Sequence, residues 1–196
     1  MTGAPETTVR CKHVVAAEDR CIVQLQDANT DDLIVWGGNE RGQLGLGHYM
    51  DVHEPTRLTF FSKQNLTVTN FAAGGNLTLA CCEAGEAFAW PFTVGGQKIS
   101  YPVLMPFSDQ IKIKRVSCGY NFGFFISSQG HVYAVGKDNQ DGQLGLGHVY
   151  PNDIPELVTC FKEAGERIDT IECGFRHAVA RSTLGKVYTW GWNAHG

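Results

Sequence analysis

The sequence predicts an all-β fold, a β-propeller of small antiparallel sheets, on three observations. The heptapeptide Gly42-Gln43-Leu44-Gly45-Leu46-Gly47-His48 returns letter for letter as Gly142-Gln143-Leu144-Gly145-Leu146-Gly147-His148. Two further markers keep step with each other. Gly74, Gly119 and Gly174 close strand-like runs at spacings of 45 and 55 residues, while Trp36, Trp90, Val135 and Trp190 are spaced by 54, 45 and 55. Finally, short runs rich in β-branched and aromatic residues alternate with glycine-bearing turns. A unit of about 50 residues is one small sheet that cannot bury both faces alone, so it must stack on its neighbours.

The bulk numbers agree with a soluble globular chain. Its 196 residues are 43% hydrophobic and 18% charged, enough to bury a sizeable core. The 23 glycines exceed ordinary usage of about 7%, and most fall at repeat positions, so they read as turn architecture. A net charge of −4 is not the footprint of a nucleic-acid-binding surface, and no direct nucleic-acid binding is expected. Seven cysteines, an odd number with no C-x-x-C pair, argue against a disulfide framework or a zinc site and for reduced core thiols in a reducing compartment. Met1 to Arg10 lacks an apolar signal region, and no apolar run reaches the roughly 20 residues that cross a bilayer. Asn65-Leu66-Thr67 and Asn76-Leu77-Thr78 are then chance matches to a glycosylation pattern. The expected location is intracellular.

Taken in order, residues 1–8 read as a loose tail. Arg10 to Ala16 parallels Gly174 to Ala180, which sets His13 against His177 and starts the first strand without the usual glycine. A polar insertion from Gln26 to Asp32 lengthens the next hairpin, whose later siblings read as two-residue turns, and leads into Leu33-Ile34-Val35-Trp36-Gly37. After the heptapeptide comes a polar loop carrying Pro55, then Leu66 to Ala73 with the alternation of a half-buried strand. Asn76 to Cys82 and Ala87 to Trp90 form a hairpin. The unit then degenerates, since Pro91-Phe92-Thr93-Val94-Gly95-Gly96-Gln97 replaces the glycine-leucine motif. Ile111 to Cys118, Phe122 to Ser127 and His131 to Val135-Gly136 build the cleanest unit, followed by the second heptapeptide. Arg167 to Cys173, His177 to Arg181 and Lys186 to Trp190-Gly191 begin a further unit, and the sequence stops where the next Gly-Gln-Leu-Gly is due. Apart from a turn near Phe161 to Ala164, no segment has helical periodicity.

The repeated motif reads as a structural staple, not a site. Its glycines permit positive φ and close approach, its leucines can plug the gap between adjacent sheets, and its glutamine amide can satisfy loop backbone groups. The pattern Trp-Gly-x-Asn-x-x-Gly-Gln-Leu-Gly-Leu-Gly, with hairpins of the type His-x-x-Ala and Gly-x-Val-Tyr-x-Trp-Gly, resembles the regulator-of-chromosome-condensation (RCC1) repeat. The resemblance covers residues 9–196, divided as 9–74, a degenerate 75–119, 120–174 and a truncated 175–196. It implies a partial propeller, about half of a seven-bladed ring, with roughly three and a half blades of four-stranded antiparallel sheets. Half a ring leaves unpaired blade faces, so further repeats or another chain are expected to close it.

Other motifs carry less. Gly42-x-x-Gly45-x-Gly47 is not a phosphate cradle: it lacks the lysine of a P-loop and no helix follows. His48 and His148, and the pair His13 and His177, are related by the repeat and would sit on different blades, so they do not converge on one metal. His53, His131 and His195 fit no ligand spacing. Asp27 to Asp32 and Asp138 to Asp141 read as solvated turns, the latter without the distal glutamate of a calcium loop. No nucleophile elbow or acid–base pair is present, so no catalytic residue, cofactor or metal is expected. The resemblance implies a non-catalytic protein-interaction scaffold, in a cytoskeletal, ciliary or regulatory assembly of the cytoplasm and less in the nucleus. Its alternative is a guanine-nucleotide exchange factor for a small Ran-like GTPase. Against exchange stand the acidic balance and the absence of a basic N-terminal tail.

Overall fold

The computed structural model of the chain describes residues 10–26, 32–94 and 96–194. The expected tail at 1–8, most of the insertion before Leu33, Gly95 and His195 lie outside them. The first sheet is β1 (Cys11–Ala16), β2 (Arg20–Leu25), β3 (Leu33–Gly37) and β4 (Val52–Leu58), paired in that order. In the second, β5 (Val68–Ala73), β6 (Thr78–Cys82) and β7 (Ala87–Trp90) are followed by a separate hairpin, β8 (Phe92–Val94) and β9 (Gln97–Ile99), before β10 (Val103–Leu104) completes the sheet. The third is β11 (Ile113–Cys118), β12 (Phe122–Ser127), β13 (Val132–Gly136) and β14 (Asn152–Leu157). One helical turn, α1 (Thr159–Glu163), leads to a three-stranded fourth sheet, β15 (Ile168–Cys173), β16 (His177–Ser182) and β17 (Val187–Gly191). Every pairing is antiparallel, so the all-β partial propeller is what the chain forms. Among the described residues no helix is long and apolar enough to cross a membrane.

Each sheet presents its first strand to the next sheet's first strand, at the hub of the arc. The Val116 N–H donates to Asn70 Oδ1 at 2.8 Å and the Cys118 thiol to the Ala72 carbonyl at 3.4 Å, joining β11 to β5. The outer strands β4 and β14 are largely exposed, and that is why they accept Pro55 and Pro155: an edge strand has no partner waiting for the missing N–H. Pro55, expected in a polar loop, thus lies in a strand, as Pro155 does. Repeat boundaries at Gly74, Gly119 and Gly174 fall between the first and second strands of a sheet, so a sequence repeat straddles two sheets.

Core position follows from stacking. β6 and β12 are buried along their whole length because neighbours cover both faces, whereas β16 alternates, with Ala178, Ala180 and Ser182 buried and His177, Val179 and Arg181 exposed. Three apolar clusters fill the three gaps. Ile22, Val35, Leu58, Phe71, Phe88 and Trp90 lie between the first and second sheets. Leu79, Met105, Ile113 and Phe125 lie between the second and third, and Phe124, Ile126, Val158, Phe161 and Ile171 between the third and fourth. Burial of each such side chain contributes about 1.5–3 kcal/mol.

Register corrects one alignment. Arg20 pairs with Gly37 as His177 pairs with Gly191, so Arg20, not His13, is the counterpart of His177. His13 belongs to a first strand and packs its ring 4.8 Å from Phe71. Ala17 stands where the glycine was sought: its N–H reaches Arg20 O as Gly74, Gly119 and Gly174 reach Leu77, Phe122 and His177. The hairpin joins read as two residues long span four, as between Ser127 and Val132. The expectation of core cysteines also needs correction, since Cys11 and Cys160 are exposed; all seven are free thiols.

Hub packing leaves no room at Gly74. A Cβ there would lie 1.6 Å from the Gly119 carbonyl oxygen, an approach of backbone to backbone that no side-chain rotation relieves. Gly74→Ala is expected to destabilise the fold by about 2–3 kcal/mol or more. Urea denaturation followed by tryptophan fluorescence measures it.

Candidate protein-interaction face

The loops that follow β3, β7 and β13 emerge on the same end of the arc as the turns at 17–19, 74–77, 119–121 and 174–176. Backbone bonds tie the two sets together: Gly38 N–H to Asp19 O, Lys137 N–H to Asn121 O and Trp192 N–H to Arg176 O, each at 2.9 Å. This end carries the repeated motif, and its geometry is the same twice over.

An asparagine closes each loop. Asn39, fully buried, donates through Nδ2 to the carbonyls of His48 (2.9 Å) and Met50 (3.1 Å) and accepts the Leu44 N–H on Oδ1 at 2.9 Å. Asn139 repeats all three contacts with His148, Tyr150 and Leu144 at 2.8, 2.8 and 2.9 Å. Gln43 and Gln143 accept the N–H of Arg41 and Asp141 on Oε1 at 2.9 and 2.8 Å. His48 and His148 accept the N–H of Met50 and Tyr150 on Nδ1, which puts the proton of the neutral ring on Nε2. The stretch Asp138 to Asp141 is therefore not simply a solvated turn. Asn139 is its buried anchor, Asp138 accepts from Asn121 Nδ2 at 2.8 Å, and Asp141 pairs with Arg176 of the fourth sheet.

The closed loop holds Leu44 wholly buried in the gap between the first and second sheets, and Leu144 in the gap between the third and fourth. Leu46 and Leu146 pack beside them, half-buried. Gly45 and Gly145 lie against the indoles of Trp90 and Trp190; a Cβ would come within 2.8 and 3.2 Å of the ring nitrogens, at φ of +76° and +68° where side chains are strained anyway. Each loop also hands a carbonyl to the next sheet. Thr78 Oγ1 donates to Gln43 O at 3.0 Å, and Trp190 Nε1 donates to Gln143 O at 2.7 Å. Trp90 Nε1 is buried without a partner among the described residues, because Thr78 has taken its place.

Arg20 gave no signal in the sequence beyond being a charge. Its side chain is fully buried and clamps the first sheet to the second, donating to Gly75 O (2.7 Å), Leu77 O (3.2 Å), Thr78 Oγ1 (3.3 Å) and Asp19 Oδ1 (3.2 Å). Burial lowers its pKa, and the Asp19 carboxylate opposes that shift. The thiols of the buried Cys81 and Cys82 and the half-buried Cys173 are shifted the other way: desolvation raises Cys81 to about 11 and Cys82 and Cys173 to about 12. Such groups are poor nucleophiles at neutral pH. Among the described residues no group of three or more His, Cys, Asp or Glu side chains is arranged to hold a metal ion.

Between the second and third sheets the motif is missing, and a cavity of about 350 Å³ opens there. Leu77, Pro91, Phe92 and Val135 line it with the half-buried Asn76 and Asn121, and the exposed Arg41, Lys98, Lys137, Glu40 and Asp153 complete the lining toward solvent. Exposed apolar side chains share this end of the molecule: Met50 and Tyr150 in the loops, Phe175 in the β15–β16 turn and Trp192 after β17.

The model of the regulator of chromosome condensation (RCC1) repeat matches residues 31–81 and 129–181, and a second model of the same description matches 113–143 and 168–196. The chain belongs to the RCC1-repeat family. Among curated relatives, the ultraviolet-B receptor UVR8 of Arabidopsis thaliana is 29% identical over 199 residues, covering 96% of this chain and 42% of that receptor. The secretion-regulating guanine nucleotide exchange factor of Mus musculus is 30% identical over 169 residues, covering 81% of this chain and 35% of that protein. The chain thus spans well under half the length of these relatives. The crystal structure of human WBSCR16 superposes with a TM-score of 0.78 at 22% identity, over 96% of this chain and 49% of that one. Prp20p from Saccharomyces cerevisiae superposes at 0.75 and 18% identity, over 94% and 45%. At these identities the likeness is one of fold.

Two outcomes test the site. Asn139→Ala removes three bonds from a buried loop and is expected to cost about 2–4 kcal/mol. Trp190→Phe and Thr78→Val each strand a loop carbonyl and cost about 1–3 kcal/mol, whereas Trp90→Phe breaks no hydrogen bond; chemical denaturation of the variants separates them. In iodoacetamide labelling read by mass spectrometry, Cys81, Cys82 and Cys173 react at least about tenfold more slowly than Cys11 and Cys160 at neutral pH.

Proposed function

We propose that this chain is a non-catalytic protein-interaction scaffold whose binding surface is the loop-bearing end of the propeller. The observation that carries this reading is the gathering of exposed Met50, Tyr150, Phe175 and Trp192 on one end of a frame held by buried hydrogen bonds. Aromatic and methionine side chains are the types enriched where proteins meet, and a rigid frame limits the ordering cost of binding. Tyr120 and Phe175 pack ring against ring, 4.3 Å between centres and tilted by 30°, which prepares one part of that surface. The relatives are in keeping with a binding role: they include a receptor and exchange factors, and the Prp20p structure is described together with its binding to Gsp1p and histones.

Guanine-nucleotide exchange on a small GTPase is a second reading, favoured by 30% identity to the mouse exchange factor over 81% of this chain. Exchange needs no catalytic side chains. It needs a surface that binds the nucleotide-free state better than the loaded one. A fluorescent-nucleotide release assay with a panel of Ran-like and other small GTPases decides between the two. Unchanged release supports the scaffold, and acceleration at substoichiometric protein replaces it with the exchange factor.

A further inference from the structure

The gap between the second and third sheets differs from its two neighbours by the lack of an inserted leucine. Strand register makes the comparison direct, because Val135 pairs with Gly123 as Trp190 pairs with Ala178. In the gap between the third and fourth sheets, Trp190 and Arg176 receive the loop that carries Leu144, through Gln143 O and Asp141. Their counterparts Val135 and Asn121 receive no loop and face the cavity instead. Phe92 packs against the cluster below it and closes part of the gap, yet about 350 Å³ remains open. A volume near the lower end of ligand pockets suits one or two side chains, not a large cofactor.

Polar groups limit what enters. Asn76 Nδ2 donates to Asn121 Oδ1 at 2.7 Å, which orients both amides in the lining. Around the mouth, Arg41, Lys98 and Lys137 make no ion pair among the described residues; Lys137 Nζ reaches the Thr93 hydroxyl at 3.3 Å. Glu40 and Asp153 also line the cavity, so its lining holds three cations against two carboxylates, an excess of one positive charge, while the nearby Asp138 carboxylate is held by Asn121 Nδ2 at 2.8 Å.

We infer that this cavity is a docking slot for a turn of a partner protein carrying an aliphatic side chain next to a carboxylate. The aliphatic group occupies the space that Leu44 and Leu144 fill in the flanking gaps. Its carboxylate lies among Arg41, Lys98 and Lys137, and its backbone meets the amides of Asn76 and Asn121. The inference rests on the reading of the chain as a protein-binding module and names where and what it binds.

The test is a titration of the full chain with capped Gly-Glu-Leu-Gly, read from the 15N side-chain amide signals of Asn76 and Asn121. Saturable shifts of both are expected. Gly-Lys-Leu-Gly should bind at least about fivefold more weakly, and Gly-Glu-Gly-Gly should give no saturable shift. Val135→Trp installs the indole of the other gaps and should abolish binding. Lys137→Glu, a change at an exposed position that leaves the fold intact, should reverse the preference between the Glu and Lys peptides. Absence of saturable shifts, equal binding of the leucine-free peptide, or an unchanged preference in Lys137→Glu would overturn the slot. Nucleotide release bears on the wider reading alone, so the two can fail separately.

Discussion

A sheet of four short strands has two apolar faces and a twist, so two such sheets laid together diverge toward one end and leave a wedge. Stability of the arc depends on what enters that wedge. In two of the three gaps it is a leucine delivered by a glycine-rich loop, and the loop keeps its shape because one buried asparagine satisfies two carbonyls and one N–H. A leucine on an unfixed loop would lose much of its burial energy to the cost of ordering about ten residues. The asparagine makes the connection that carries the leucine a rigid one. Everything else in the gap, including the indoles under Gly45 and Gly145, is arranged around that insertion.

The same constraint explains why the loops rather than the strands present the exposed apolar side chains. Strands β6 and β12 are covered on both faces and have nothing left to offer a partner. The loops are anchored at their bases and project Met50 and Tyr150 outward from those anchors. Where the motif is lost, after Trp90, the chain folds instead into a separate two-stranded hairpin and the wedge is only partly filled. Loss of a structural staple and gain of a recessed surface are one event seen from two sides.

Polar chemistry in the gaps varies while the apolar plan repeats. The carbonyl of the loop glutamine is capped by a threonine hydroxyl in one gap and an indole N–H in another. At the turn between first and second strands, Arg20, Phe122 and His177 occupy one structural position with a buried cation, a buried ring and an exposed imidazole. A fold tolerates this because each gap needs its buried groups satisfied, and several side chains can meet the same carbonyl.

The period of the repeat, the all-β class, the glycine turns and the loss of the motif in the second unit were legible in the sequence, because each depends on local chemistry: alternation, chain reversal and positive φ are set by neighbours a few residues apart. Asn39 and Asn139 stood in the motif, but their role as anchors was not readable, since a side-chain amide declares its partners only once the loop has closed on it. The strands at Pro55 and Pro155 were hidden for a related reason: a proline forbids an interior strand and permits an outer one, and only stacking decides which strand is outer. Where Ala17 replaces the glycine no local signal fixes the register, and only strand pairing sets Arg20, not His13, against His177. The buried clamp of Arg20 and the cavity beside Val135 belong wholly to tertiary structure, because both are made where two sheets from distant parts of the chain meet.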